Sequence, residues 1–354
     1  MSLDKATTVR EEDSIDIAKV TEFVRQALPE IAVNDSVEIL QFPSGASNLT
    51  YEIKCADRSL ILRTAPKGAN IKSAHDMGRE YKVLSRLIEH FPYCPRPLAY
   101  SADDSVLGCE FYIMEKVEGI IPRRDMPIDY TEQELKLLCT NLIDVQVQLH
   151  DVDIVAKNLI ELGKPEGYVS RQVSGWCDRY KKARTDDVPQ GDELMNWLMS
   201  NQPNDSYETA AEASFIHNDY KFDNIVLDIN NPTSIISVLD WEMSTVGDPL
   251  MDLGCSLAYW VEAGDSEQVQ QIRMLPTHLQ GMMTRDELVG YYLQKSGRQV
   301  DSFNYYYVFG LFRLAVIAQQ IYKRYKEGKT HNKKFAQFGL FCTVLINECK
   351  KYYK

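Results

Sequence analysis

The segment Phe215-Ile216-His217-Asn218-Asp219-Tyr220-Lys221-Phe222-Asp223-Asn224 leads directly into an apolar run, Ile225-Val226-Leu227. A second apolar run, Ile235-Ile236-Ser237-Val238-Leu239, then delivers Asp240-Trp241-Glu242. Both runs have the length and β-branched composition of short strands, and pairing them as a hairpin brings position 224 near position 240. The pattern is H-x-D-x-x-x-x-N, strand, strand, D-W-E. Taken singly, its members suit a turn histidine, an Asx-type turn and a strand-end aspartate. Taken jointly, with both strands in place, they suit catalysis.

Phosphoryl transfer is the chemistry that uses such a set. Its transition state is mostly charge on phosphate oxygens, so the protein supplies positioning and cations rather than covalent bonds. One carboxylate must orient the attacking hydroxyl and take its proton, and Asp219 fits that role. An amide oxygen and a second carboxylate must hold hard Mg2+ ions against the phosphates of ATP, and Asn224 and Asp240 fit those.

Upstream of this segment the pattern is β-rich. An amphipathic helix is expected from a Ser14 cap, with Ile17, Val20, Phe23, Val24 and Leu28 on one face. Strands are expected over 37–42, 50–55 and 60–64, a helix over 73–90, and two more strands over 97–101 and 109–117 joined by a turn at Asp103-Asp104. That order predicts a small, mostly antiparallel sheet with one helix packed on it. From Thr131 onward the spacing is helical: Leu135, Leu138, Leu142, Val145 and Leu149 open a long helix. Further helices are expected over 169–182, 193–199, 249–259, 285–295 and 305–325, the last apolar on most sides and so expected in a core. The fold class is therefore α+β in two lobes, 1–117 and 118–354, with the seam near Glu118-Gly119.

The chain has 354 residues, enough for two or three cores, and a net charge of −12. A nucleic-acid partner normally requires a basic face, so this balance argues against one; an acidic surface suits solubility and would also suit a cationic substrate. The eight cysteines are scattered with no C-x-x-C pair, which predicts reduced thiols rather than a zinc site or a disulfide framework. No apolar run approaches the ~20 residues of a membrane helix, and the polar N-terminus is neither a signal nor a transit peptide. A cytoplasmic protein with no membrane partner is expected; the sequence is silent on oligomeric state.

In these motifs the sequence resembles the aminoglycoside phosphotransferase and choline kinase-like family, the phosphotransferase enzyme family, and most of all the branch whose kinase domain is also found fused to long acyl-CoA dehydrogenases. The likeness extends over Ser44 to Tyr51, Ile61-Leu62-Arg63, Gly78-Arg79-Glu80-Tyr81, Tyr112 to Glu115, Pro165 to Tyr168 and Gly247 to Gly254. It implies a protein-kinase-like bilobal fold: a nucleotide-binding lobe with a small antiparallel sheet and one helix, and a larger helical lobe for catalysis and substrate. It also implies an ATP- and Mg2+-dependent transfer to the hydroxyl of a small molecule.

By that likeness Gly45, Ser47 and Asn48 belong to the loop over the ATP phosphates. Arg63, where most kinases carry lysine, grips the phosphates and pairs with Glu80. Met114 lines the adenine pocket, whose hinge is Glu115 to Val117. His217 and Asp252 prop the catalytic loop. Glu242 has two readings, contact with a second ion or substrate and a structural role. Tyr168, Arg171, Gln172 and Trp176 either line an acceptor pocket or pack as an ordinary helix face. Tyr305-Tyr306-Tyr307 and Arg313 lie on the apolar helix, where core packing is the ordinary outcome.

Three other functions compete. His75-Asp76 and His150-Asp151 are His-Asp dyads of the kind metal phosphohydrolases use, but no well-spaced partner histidine completes a ligand set. A catalytically silent nucleotide-binding module would not need Asp219, Asn224 and Asp240 together. A protein kinase would need an activation loop, and Asp240 reaches Gly247-Asp248-Pro249 too soon to leave room for one. The acceptor is not read from these residues; the fusion partners of the similar branch hint at a hydroxylated acyl thioester or a related metabolite.

Overall fold

The computed structural model describes residues 5–33, 36–43, 48–56, 58–66, 76–203, 213–330 and 332–353. The chain forms two compact units, Met1–Ile121 with Ile225–Met243, and Pro122–Asn224 with Ser244–Lys354.

In the first unit β1 (Glu38–Gln41), β2 (Leu49–Lys54), β3 (Ser59–Thr64), β4 (Pro97–Ser101) and β5 (Phe111–Glu115) pair antiparallel in the order β1-β2-β3-β5-β4. Alternation sorts the side chains of β3. Leu60 and Leu62 join Tyr51, Ile53, Phe111 and Ile113 in a core closed by Val20 and Val24 of helix α1 (Ile17–Ala27). Arg63, out of phase with them, reaches Glu80 on helix α2 (Met77–Leu87). Both helices expected in this half of the chain, α1 and α2, are thus present.

Asp16, not Ser14, caps α1: its carboxylate accepts from the Lys19 N–H, and Ser14 follows a separate 3-10 turn, Glu11–Asp13. Asp76 caps α2 in the same way. The turn expected at Asp103-Asp104 is a one-turn helix, α3 (Asp104–Leu107), capped by Asp103 and closed by left-handed Gly108.

The strands Ile225–Leu227 and Ile235–Val238 form the expected hairpin. It belongs to the first unit, although the sequence places it beyond the expected seam. Ile120 exchanges both backbone hydrogen bonds with Leu227, at 2.9 and 2.8 Å, and Val238 donates to the Tyr93 carbonyl. Gly119 allows that approach, since a Cβ there would sit 2.3 Å from Val226. The seam in contact terms lies at 121/122, and residues 225–243 return to the sheet-bearing unit, where their backbone bonds go to Ile120 and Tyr93.

The second unit holds the remaining helices: α4 (Glu132–His150), α5 (Tyr168–Ala183), α6 (Asp192–Ser200), α7 (Pro249–Leu257), α8 (Glu267–Gln271), α9 (Arg285–Ser296), α10 (Asn304–Lys326) and α11 (Phe338–Cys349). Thr131 with Glu134, and Thr284 with Glu287, form complete capping boxes for α4 and α9. Asp248 caps α7, which has Pro249 in its first turn. A short ribbon, Ser214–Ile216 with Thr245–Gly247, leads into and out of the excursion to the first unit. The ribbon and α11 lie outside the elements expected from periodicity. Three-residue strands are too short to show a period, and α11 is apolar nearly all round. Among the described residues no helix is long and apolar enough to cross a membrane.

Helices α7 and α10 meet backbone to backbone at two glycines. A Cβ on Gly254 would lie 2.2 Å from the Tyr306 carbonyl oxygen, and one on Gly310 would lie 2.0 Å from the Gly254 carbonyl oxygen. Gly310→Ala must push the helices apart and should destabilise the protein by about 2 kcal/mol. Gly290→Ala, at an open position of α9, should instead stabilise it by up to about 1 kcal/mol. Thermal unfolding of both variants checks the pair; shifts of equal sign would refute the steric account.

Candidate active site

In the second unit the residues after the ribbon strand Ser214–Ile216 form a tightly held loop. Asp252 of α7, fully buried, accepts from the backbone N–H of His217 at 3.2 Å and of Asn218 at 2.6 Å. Gln146 Nε2 at 3.4 Å and His150 Nε2 at 3.0 Å complete its ring of partners. Burial alone would push the Asp252 carboxyl up, but the hydrogen bond and charge of His150 and the loop donors hold it below its ordinary value. His217, also buried, accepts the Asp219 N–H at Nδ1, 3.2 Å away. Asn218 has a left-handed backbone, φ 65°, and is gripped at two further points: Tyr168 donates to its side chain at 3.1 Å, Arg313 to its carbonyl at 2.7 Å.

This anchoring presents Asp219. Asn224 Nδ2 donates both to the Asp219 backbone carbonyl at 2.8 Å and to its Oδ2 at 2.9 Å. Lys221 Nζ binds the same Oδ2 and reaches Asp223 at 3.2 Å. Burial would depress the Lys221 pKa, yet Asp219 and Asp223 outweigh it and keep the ammonium charged. Both of these side-chain contacts fall on Oδ2 of Asp219. The Asn224 amide nitrogen is thereby committed to Asp219.

The first unit carries a second cluster. Arg63, 8% exposed, binds Glu80 at 2.5 Å and Asp240 at 2.9 Å, with Glu242 at 3.8 Å. Burial pulls the Arg63 pKa down, and the carboxylates of Glu80, Asp240 and Glu242 more than reverse this. Asn48 Nδ2 donates to Glu242 at 2.5 Å. Asp240 also has a left-handed backbone, φ 66°. Three described non-glycine residues have positive φ, and Asn218 and Asp240 are two of them. Such conformations cost about 1–3 kcal/mol each and persist only where the surroundings impose them. Trp241, beside Asp240, is the anchor there: its indole N–H donates to Val238 at 2.8 Å and its ring packs edge-on against Phe91.

Asn48, Arg63, Glu80 and Asp240 thus share one network, joined by Glu242, while Asp219 and Asn224 share another. Gly45 and Ser47 lie outside the described residues. Met114 is buried near the end of β5, and the Glu115 N–H is committed to the Arg96 carbonyl at 2.9 Å. Val117 lies just beyond the strand. Of the helix-face candidates, Tyr168 reaches the loop and Trp176 lies under the Arg313 guanidinium, 5.3 Å from ring centre to Cζ. Arg171 folds back onto the carbonyls of Lys164 and Glu166. Sequence reasoning gives Lys221 no role and assigns Arg313 to core packing. The signal for Arg313 is a cation in the apolar middle of its helix, which must find a buried partner.

Of the His-Asp dyads, His75 lies outside the described residues; Asp76 caps α2, and His150 is shared between Asp252 and the Tyr292 hydroxyl, the latter at 2.7 Å. Among the described residues no three histidine, cysteine or acidic side chains gather as a metal cage. Taken singly, the Asn224 amide oxygen in the second unit and the Asp240 carboxylate in the first are hard oxygens of the kind Mg2+ takes.

A family model described as the phosphotransferase enzyme family matches residues 38–282. Mouse acyl-CoA dehydrogenase family member 10 is 32% identical over 305 residues, which is 86% of this chain but 28% of that protein. The chain therefore spans well under half the length of that relative. A crystal structure of a candidate aminoglycoside phosphotransferase from Ralstonia eutropha superposes with a TM-score of 0.78 at 28% identity, covering 96% of this chain and all of that one. An aminoglycoside phosphotransferase in ternary complex with AMP-PNP and hygromycin B gives 0.57 at 16% identity, over 93% and 98% of the two chains, a likeness of fold alone. Sequence and fold agree, and the chain belongs to the phosphotransferase enzyme family, with its kinase-like α+β fold.

Proposed function

We propose that this chain transfers the γ-phosphate of ATP to a hydroxyl of a small molecule, with Asp219 as the base. The observation that carries the reading is the immobilised Asp219 carboxylate, whose Oδ2 is tied by Lys221 and Asn224. Holding an alcohol proton against Oδ1 aligns its oxygen for attack as charge builds on the transferred group. Lys221 keeps Asp219 oriented and adds a fixed positive charge beside the reaction.

Asn224 and Asp240 would hold Mg2+, which when bound neutralises charge on the phosphate oxygens. Arg63, kept charged and aimed by Glu80, would grip the phosphates beneath a loop containing Gly45, Ser47 and Asn48. Because the Glu115 N–H is already taken, adenine would meet the Glu115 carbonyl and the peptide of Val117, beside Met114.

The aromatic faces near Asp219 bear on the acceptor. Arg179 and Arg313 lie over Trp176 at 4.5 and 5.3 Å, and Lys221 over Tyr259 at 5.4 Å. A cationic alcohol of the choline or aminoglycoside kind would compete with the chain's own cations for these faces. A neutral or acidic hydroxyl compound, such as a hydroxylated acyl thioester, meets no such competition. In an ATP-consumption screen across these classes, hydroxyacyl thioesters should outperform choline and aminoglycosides; preferred turnover of a cationic alcohol would reverse this choice of acceptor.

Asp219→Asn should keep ADP affinity and lose about 10²-fold or more in kcat. Normal phosphorylation by this variant would remove Asp219 as the base. Asp240→Ala should weaken nucleotide binding roughly tenfold or more in Mg2+, a loss of about 1.4 kcal/mol, and much less in EDTA. Titration with a fluorescent ADP analogue in both conditions measures the difference, and equal losses would place Asp240 outside the metal site.

A further inference from the structure

We infer that Arg313 is a positioning residue that sets the direction of Asp219 by holding the Asn218 peptide. This rests on the phosphotransferase reading above for its kinetic consequence, though not for its structural one.

The two peptide groups flanking the Asn218 Cα are held by opposite charges. The Asn218 N–H is drawn to the Asp252 carboxylate at 2.6 Å, and its carbonyl to the Arg313 guanidinium at 2.7 Å. Asparagine tolerates the left-handed φ of 65° better than most residues but does not prefer it, so the two holds select it, and Asp219 is the next residue along. The two holding residues come from different helices, Asp252 from α7 and Arg313 from α10. Gly254 lies two residues beyond Asp252, and Gly310 three before Arg313. The glycine contact between the helices therefore sits within a turn of both, and fixes how far apart the anionic and cationic ends stand.

Arg313 is 6% exposed, which makes its burial costly unless the guanidinium is engaged. Trp176 covers one of its faces, and the Asp219 carboxylate is among the charges acting on it. A planar fork stacked on an indole has little freedom, so it can hold a carbonyl in one direction. Loss of that hold lets the 218–219 peptide relax toward ordinary negative φ and swings Asp219 away from its productive orientation. A misplacement of about 1 Å is enough to cost roughly 10²-fold in rate.

The test uses the full chain with Arg313→Met and Arg313→Lys. Lysine can still donate to the Asn218 carbonyl; methionine fills the space without a donor. Amide hydrogen exchange over residues 217–224 should rise about tenfold or more in the methionine variant and return toward wild type in the lysine variant. With ATP and the best acceptor from the screen, kcat should fall about 10²-fold in Arg313→Met with unchanged KM for ATP, and recover in part in Arg313→Lys. Unchanged exchange in the methionine variant, or exchange raised equally in both, overturns the proposal. A rise confined to the acceptor KM makes Arg313 an acceptor ligand and overturns it as well. Because exchange is read without turnover, an inactive wild-type protein would count against the phosphotransferase reading and leave this one to stand or fall on the exchange data. Should Arg313→Met fail to fold, Arg313→Lys decides: it must fold and show near-native exchange.

Discussion

Asp252 is fully buried, and its charge persists because four donors converge on it. Two are backbone N–H groups of the loop it supports, at His217 and Asn218; the others are His150 and Gln146 on α4. An ionised carboxylate in such surroundings cannot shed a partner cheaply, since each lost donor leaves an uncompensated part of a buried charge. The loop is therefore tied to the helical core by an electrostatic requirement rather than by packing alone. Its left-handed residue, the accepted Asp219 N–H and the Asn224 bonds to Asp219 all follow from where that tie places the backbone.

The first unit solves a related problem with the opposite sign. Arg63 is carried inward by strand alternation, and three carboxylates from Glu80, Asp240 and Glu242 compensate it. One of these, Asp240, ends a hairpin whose place in this unit depends on Ile120 and Gly119. The cluster thus carries more negative charge than the one buried cation at its centre, and it is on this cluster that the proposed phosphate grip draws. The departure from lysine matters here: the arginine fork reaches Glu80 through one terminal nitrogen and Asp240 through the other, which a single ammonium could not do in that geometry.

Much of this was legible without coordinates. The five strands of the sheet, α1 and α2, the hairpin and most of the later helices follow from periodicity and turn residues, because an amphipathic period survives wherever one face is buried and the other wet. Asp219, Asn224 and Asp240 stood out because their spacing combines with two apolar runs that only a hairpin explains. The reading faltered where no such contrast exists. The ribbon strands are three residues long, α11 has no polar face, and Ser14 and Asp16 are both good caps, so only the Lys19 N–H distinguishes them. Arg313 was set aside as part of an apolar helix, since sequence shows that a buried charge needs a partner but not which carbonyl it finds.

The order of elements, the residue types able to bind metal and move a proton, and the membership of the family were set by the sequence itself, because they depend on local chemistry and short-range spacing. Which residues meet across long separations was decided only by the tertiary structure: Asn218 between Asp252 and Arg313, Arg63 among Glu80, Asp240 and Glu242, the hairpin against Ile120. These contacts depend on how closely two backbones can approach, as at Gly254 and Gly310, and on the need of each buried charge for a partner. Both are properties of a packed interior, and a linear pattern does not contain them.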